Sequence, residues 1–321
     1  MPIFTKTGLP ANKILREEKI QILEELEGKE ILEEEGSKLL QIAILNLMPL
    51  KEDTELQLLR KLSSSGKNIK ITFVNVTSYI SKTTSPEHME RFYSTFDEIK
   101  DKYFDGLIIT GAPVEQIAFE DVIYWNELTK IMNWSETHAK STLHICWGAQ
   151  AGLYYHYGVN KHLIEHKMFG VFEHEIDIPN SKIVTGYDNG FKAPHSRHTT
   201  VYKNEIEKVP DLEVVAESSK AGVFIVENKK KNQLFFTGHL EYAVDTLDKE
   251  YKRDLSKGLE INMPENYYFN NNSDEEPVFS WKENGDHIYS NWVNYYCCDW
   301  FKTIIIKICI FYWYFFDCII W

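Results

Sequence analysis

Apolar and polar positions first fall into a clear rhythm near residue 39. "LLQIAILNLM" (39–48) is a continuous apolar run of the kind that fills a parallel sheet covered on both faces. "EDTELQLLRKLSSSG" (52–66) switches to helical spacing, and "IKITFVNV" (69–76) returns to a strand pattern. The alternation continues with a helix over 87–103, a strand over 104–113 that ends in Gly-Ala-Pro, a helix over 120–139 and a strand over 141–146. Strand and helix in turn over about 110 residues predict an α/β fold, with an open, mostly parallel sheet and helices on both faces. Such sheets bind ligands outside the carboxyl ends of their strands. Asn46, Gly111 and Cys146 all fall near those ends.

The second half is strand-rich. "KIVTGYD" (182–188), "LEVVAES" (212–218), "AGVFIVEN" (221–228) and "NQLFFTGH" (232–239) read as strands that continue or flank the sheet, with a helix over 246–258. Ahead of the alternating region, "LREEKIQILEELEGKEILEEEG" (15–36) is acidic and helix-like, which predicts an N-terminal helical extension over 1–36 with a solvated face. The chain changes character after Tyr296. Residues 297–321 are almost wholly apolar and hold four of the five cysteines. Lys307 and Asp317 interrupt that run, which leaves it short of the ~20 apolar residues of a membrane span. It reads as a discordant, non-native tail in preference to a weak anchor or a buried element, and 1–296 as the functional domain.

Charge and cysteine usage narrow the chemistry. The 321 residues carry a formal net charge of −13, the wrong sign for a protein that must neutralise nucleic-acid phosphates. No CxxC spacing occurs, so neither a zinc knuckle nor a thioredoxin-type pair is expected, and no metal site is predicted. The odd cysteine count and an N-terminus without a long apolar run suit a reducing cytoplasm, with no membrane partner.

Within "STLHICWGAQAG" (141–152), Cys146 stands where an apolar strand gives way to a helix. A free thiol is weakly ionised at neutral pH and needs a base, a cation or a helix N-terminus to act as a nucleophile. The helix starting at Trp147 would turn its positive end toward the sulfur, and Gly148 would permit the sharp turn. "LFFTGHLEY" sets His239 at the end of a strong strand with Glu241 two residues on, so both could point one way. A strand-terminal cysteine on the same sheet makes the three a candidate nucleophile, base and orienting carboxylate.

These residues sit in longer motifs: "NLMPLKEDTE" (46–55), "GLIITGAPVE" (106–115), "TLHICWGAQAGLYYHYG" (142–158), "HKMFGVFEH" (166–174), "FKAPHSRH" (191–198), "TGHLEY" (237–242) and "NWVNYY" (291–296). From Met1 to Tyr296 the chain resembles the bacterial homoserine O-acyltransferases of methionine biosynthesis, whose fold is class I glutamine amidotransferase-like. The resemblance implies that Cys146 accepts the acyl group from acyl-CoA, that His239 is the general base and that Glu241 orients it. It implies that Lys167, Ser196 and Arg253 contact the substrate, and it suggests a homodimer. No cofactor is implied beyond acetyl-CoA as co-substrate. The Trp147 amide and the Lys51 ammonium are candidate donors to the oxyanion, beside amides of the Gly111–Ala112 turn.

In the family, a glutamate at position 115 accompanies acetyl-CoA and a glycine succinyl-CoA. Electrostatics agrees, because a carboxylate in the acyl pocket repels the carboxylate of a succinyl group. The expected activity is therefore homoserine O-acetyl transfer. The alternatives are succinyl transfer, glutamine hydrolysis and a non-catalytic α/β binding protein. His144 stands where amidotransferases of this fold favour the first glycine of G-x-C-x-G, which argues against glutamine hydrolysis.

Overall fold

The computed structural model describes residues 2–25, 38–188 and 190–298. Twelve strands form one sheet: β1 (Ile3–Lys6), β2 (Ile22–Glu25), β3 (Leu39–Leu45), β4 (Asn68–Val74), β5 (Tyr93–Ser94), β6 (Gly106–Ile109), β7 (Thr142–Ile145), β8 (His162–Ile176), β9 (Phe191–Thr200), β10 (Glu213–Ser218), β11 (Gly222–Asn228) and β12 (Gln233–Phe236). Their order is β2-β1-β4-β3-β6-β7-β12-β11-β10-β8-β9, with β5 beside β4. From β2 to β12 every pairing is parallel; beyond β12 the pairings are antiparallel.

The helices are α1 (Pro10–Glu17), α2 (Lys51–Ser63), α3 (Pro86–Phe92), α4 (Phe96–Ile99), α5 (Trp125–His138), α6 (Trp147–Tyr157), α7 (Lys203–Ile206), α8 (Thr246–Ser256) and α9 (Lys282–Asn291). Successive strand residues point to opposite faces. Ile42, Ile44, Ile108 and Leu143 pack with Leu58, Leu59 and Leu62 of α2 and Ile288 and Tyr289 of α9. Ala43, Leu45, Leu107 and Ile109 pack on the other face with Leu128, Ile131 and Met132 of α5 and with Trp147. Both faces of the central strands are thus covered, which is why those strands read as unbroken apolar runs.

Four expectations change. The stretch 1–36 is not a helical extension in its described part: α1 ends at Glu17, Lys19 turns to φ +65°, and Ile22–Glu25 pairs in parallel with β1 at the edge of the sheet. Burial of Ile3 and Ile22 against the core outweighs the helical character of the acidic side chains around them. The helix over 87–103 is broken, because Tyr93 and Ser94 pair with Phe73 and Val74 and a capping box of Thr95 and Glu98 starts a new helical turn. "KIVTGYD" opens as a 3-10 turn at Lys182–Val184, not a strand. The packed chain also passes the expected boundary at Tyr296, since Cys297 is buried in the core beside Gly106 and Trp292. The rest of the tail, 299–321, lies outside the described residues. Among the described residues no helix is long and apolar enough to cross a membrane.

Candidate active site

Strands β3, β6, β7 and β12 run parallel as neighbours, so their carboxyl ends open on one side of the sheet. Cys146 follows β7 directly and caps α6 with φ 52° and ψ −116°. That backbone is rare for a residue with a Cβ and stores about 1–3 kcal/mol. Its amide donates to the Phe236 carbonyl of β12 at 2.6 Å, which ties the turn to the strand that leads into His239. Gly148 is required two residues on: a Cβ there would stand 2.6 Å from the Thr110 carbonyl oxygen and 2.8 Å from that of Ile109. Gly148→Ala should therefore push α6 off β6 and destabilise the protein by about 1–3 kcal/mol, read as a lowered Tm; an unchanged Tm would mean that the elbow can relax. Gly111 faces the thiol from β6's end, where a Cβ would lie 3.2 Å from the Cys146 Cβ.

His239 is buried, and its amide donates to the Pro194 carbonyl at 2.9 Å. The imidazole hydrogen-bonds Cys146 on one side and holds the Glu241 Oε1 at 2.6 Å from Nδ1 on the other. The pair forms through a turn at Leu240–Glu241, not through the extended strand that the i, i+2 spacing suggested. Burial alone would push the His239 pKa down. The adjacent sulfur and the Glu241 carboxylate overcome it and hold the imidazolium form well above its ordinary range. The geometry therefore suits a base that accepts a proton and keeps it beside the sulfur.

Three further groups were invisible in the sequence. Tyr242 stacks on the His239 ring with centroids 4.0 Å apart. Tyr289 directs its hydroxyl to Glu241 Oε2 at 3.5 Å. Glu250 on α8 gathers the Ser196 hydroxyl (2.5 Å), the Tyr242 hydroxyl (3.0 Å) and the Lys167 ammonium (3.5 Å).

Tyr242 and Glu250 face a cavity of about 1300 Å³, and Tyr289 supports Glu241 from the core behind it. Cys146, His239, Glu241, Glu115, Lys167, Ser196 and Arg253 all line it. Lys167 and Ser196 come from the β8–β9 hairpin, and Arg253 reaches in from α8, with Nε on Asp254 Oδ1 at 2.7 Å. Glu115 is half-buried and accepts from the His198 amide. Burial raises its pKa, an effect that this hydrogen bond and the nearby Lys167 charge only partly offset.

The Trp147 amide stands at the first position of α6, where no carbonyl of its own helix can accept it. Lys51 is placed differently from the oxyanion expectation. Its ammonium is buried, donates to the Asn46 carbonyl at 2.6 Å and packs over the Tyr93 ring, and Lys51 is not among the cavity walls. Burial lowers its pKa to about 8, with Glu55 opposing the shift. It fastens the β3–α2 turn.

A sequence profile described as homoserine O-succinyltransferase matches residues 2–302. The chain belongs to that family. It is 52% identical over 296 residues to a homoserine O-acetyltransferase of Lachnoclostridium phytofermentans, covering 92% of this chain and 97% of the relative. It is 50% identical to a protein of the same name from Agathobacter rectalis, covering 92% and 94%. Among solved structures, a glutamine amidotransferase from Thermotoga maritima superimposes with a TM-score of 0.54 at 13% identity, covering 81% of this chain and 98% of that one. That likeness speaks for the fold alone. Family membership covers the whole constellation of Cys146, His239 and Glu241, and it extends past Tyr296 to residue 302.

Proposed function

We propose that this member of the family transfers an acetyl group from acetyl-CoA to the hydroxyl of L-homoserine through a thioester on Cys146. The observation that carries the reading is the buried His239 held between the Cys146 sulfur and the Glu241 carboxylate at the floor of a large cavity. In the first half-reaction the sulfur attacks the thioester carbonyl, the C–S bond to CoA breaks, and His239 returns the proton to the leaving thiolate. In the second, the homoserine hydroxyl gives its proton to His239 and attacks the acyl-enzyme, and the Cys146 sulfur leaves. The Trp147 amide is suited to the oxyanion of both tetrahedral intermediates. The reaction needs no metal and no further cofactor, and it suits a cytoplasmic biosynthetic enzyme.

The amino-acid end of homoserine needs an anion for its ammonium and a cation for its carboxylate. Glu250 and Arg253, one helical turn apart on α8, offer both beside Lys167 and Ser196. Glu250→Gln should raise the KM for homoserine about 10- to 100-fold while changing the KM for the acyl donor little. An equal rise for both substrates would remove Glu250 from the homoserine end.

Glu115 favours acetyl over succinyl. Because burial raises its pKa, Glu115 protonates at a higher pH than a free carboxyl. Selectivity should therefore be greatest where Glu115 is ionised and should fall as the pH is lowered through that raised value. The ratio of kcat/KM for acetyl-CoA over succinyl-CoA, followed from neutral toward acid pH, reads it; a flat ratio would exclude a charge effect. The family profile carries a succinyltransferase description, so succinyl transfer is the second reading. Steady-state CoA release with L-homoserine and each donor decides between them: preference for acetyl-CoA is expected, preference for succinyl-CoA would reverse the selectivity, and no turnover by folded protein would overturn the reaction.

A further inference from the structure

Acetyl and homoserine together are far smaller than a cavity of about 1300 Å³, which exceeds even the usual ~300–1,000 Å³ of a ligand site. The surplus has a direction. Asp53, Leu56, Gln57, Arg60, Ser63 and Ser64 all line the cavity. Their spacing of three and four residues puts them on one stripe of α2. The cavity thus runs along the helix from Asp53 to its C-cap Ser64, about 16 Å, away from the homoserine end. Its opposite wall is the start of α8 and α9, where Thr246, Lys249 and Lys282 lie. Gln57 Nε2 donates to Thr246 Oγ1 at 2.9 Å part-way along.

We propose, resting on the acyl-CoA reading above, that this groove along α2 holds the pantetheine arm of the donor and delivers its phosphates to Arg60, Lys249 and Lys282. The lengths agree. About a dozen bonds separate the thioester sulfur of CoA from its first phosphorus, roughly 15 Å when extended at ~3.5 Å per three bonds. The lining agrees too. A pantetheine arm alternates amides with short hydrocarbon runs, and the groove alternates Gln57 and Ser63 with Leu56 and Phe279.

Each of the three cations is held in place by one carboxylate: Arg60 by Glu18, Lys249 by Asp245 and Lys282 by Asp286. The Lys249–Asp245 pair is exposed to solvent and the other two are partly so. Such pairs contribute little to stability, so exchanging a carboxylate for the diphosphate, which carries two negative charges over its two phosphorus atoms, is cheap. The groove therefore binds the donor through its length and its far-end charge, while Glu115 governs the acyl end.

The test compares acetyl-CoA with S-acetyl-N-acetylcysteamine, a thioester that stops short of the phosphates, in the full chain and its Arg60→Ala/Lys282→Ala variant. The kcat/KM for acetyl-CoA should fall about tenfold or more in the variant, and the kcat/KM for the truncated thioester should change less than threefold. CoA binding measured by calorimetry should weaken by the same factor as acetyl-CoA turnover, and an unchanged Tm checks the fold. Equal losses with both thioesters, or CoA binding that ignores the substitutions, would overturn the placement of the arm while leaving acyl transfer intact. Failure of the unsubstituted protein to transfer acetyl from either thioester would overturn the reaction itself, and the placement with it.

Discussion

Cys146→Ala should abolish acetyl transfer, with a loss on the order of a thousandfold or more, while the protein stays folded. The Cβ is the part of the side chain that shares the strained elbow, and alanine keeps it. The sulfur is buried but its loss removes one atom at the edge of a cavity, so the cost in stability is about 1 kcal/mol. Cys146→Ser is the more stringent variant. It preserves shape and a hydrogen bond to His239 but offers a much less acidic nucleophile, so it should be nearly as inactive. Turnover and Tm measured on both variants separate chemistry from folding. Substantial activity in the alanine variant would exclude the thioester and leave direct transfer between bound substrates as the reaction.

Glu115→Gly carries the second large effect. Two like charges ~4 Å apart repel by about 4 kcal/mol at an effective dielectric near 20, close to a thousandfold in rate. Burial raises the Glu115 pKa, so this repulsion is lost at a higher pH than it would be for a free carboxyl. The substitution also vacates the space that the longer acyl group needs. The ratio of kcat/KM for succinyl-CoA over acetyl-CoA should rise by about one to three orders of magnitude. A ratio that does not move would show that the acyl pocket is closed by other residues, with the Val114–Gln116 backbone the next place to look.

What the sequence disclosed, and what it hid, follows from where each signal is stored. Strands β3, β6 and β7 are legible because both their faces are buried, which leaves an unbroken apolar run in the chain. The elbow is legible because a strand-to-helix switch at Cys146 with Gly148 after it is a local pattern. His239 and Glu241 follow from adjacency. Other features depend on partners far away in the chain. The acidic side chains of 15–25 read as one helix until Ile22 is seen beside Ile3 on the edge of the sheet. The long β8–β9 hairpin alternates too weakly to stand out, yet it carries Lys167 and Ser196 into the site. Glu250 looks like one more charge in "TLDKEYKRDLS". Its role appears only when α8 docks against the hairpin and brings Ser196, 54 residues away, to its carboxylate. Lys51 misleads for the opposite reason: it is close in sequence to a site strand, but its ammonium is already committed to the Asn46 carbonyl.

The most direct measurement is the mass of the intact protein, and of its Cys146 peptide, after mixing with acetyl-CoA in the absence of homoserine. A thioester mechanism requires one added acetyl group on Cys146, released as O-acetylhomoserine when homoserine is supplied. An unmodified Cys146 in protein that still turns over with both substrates present would contradict the acyl-enzyme.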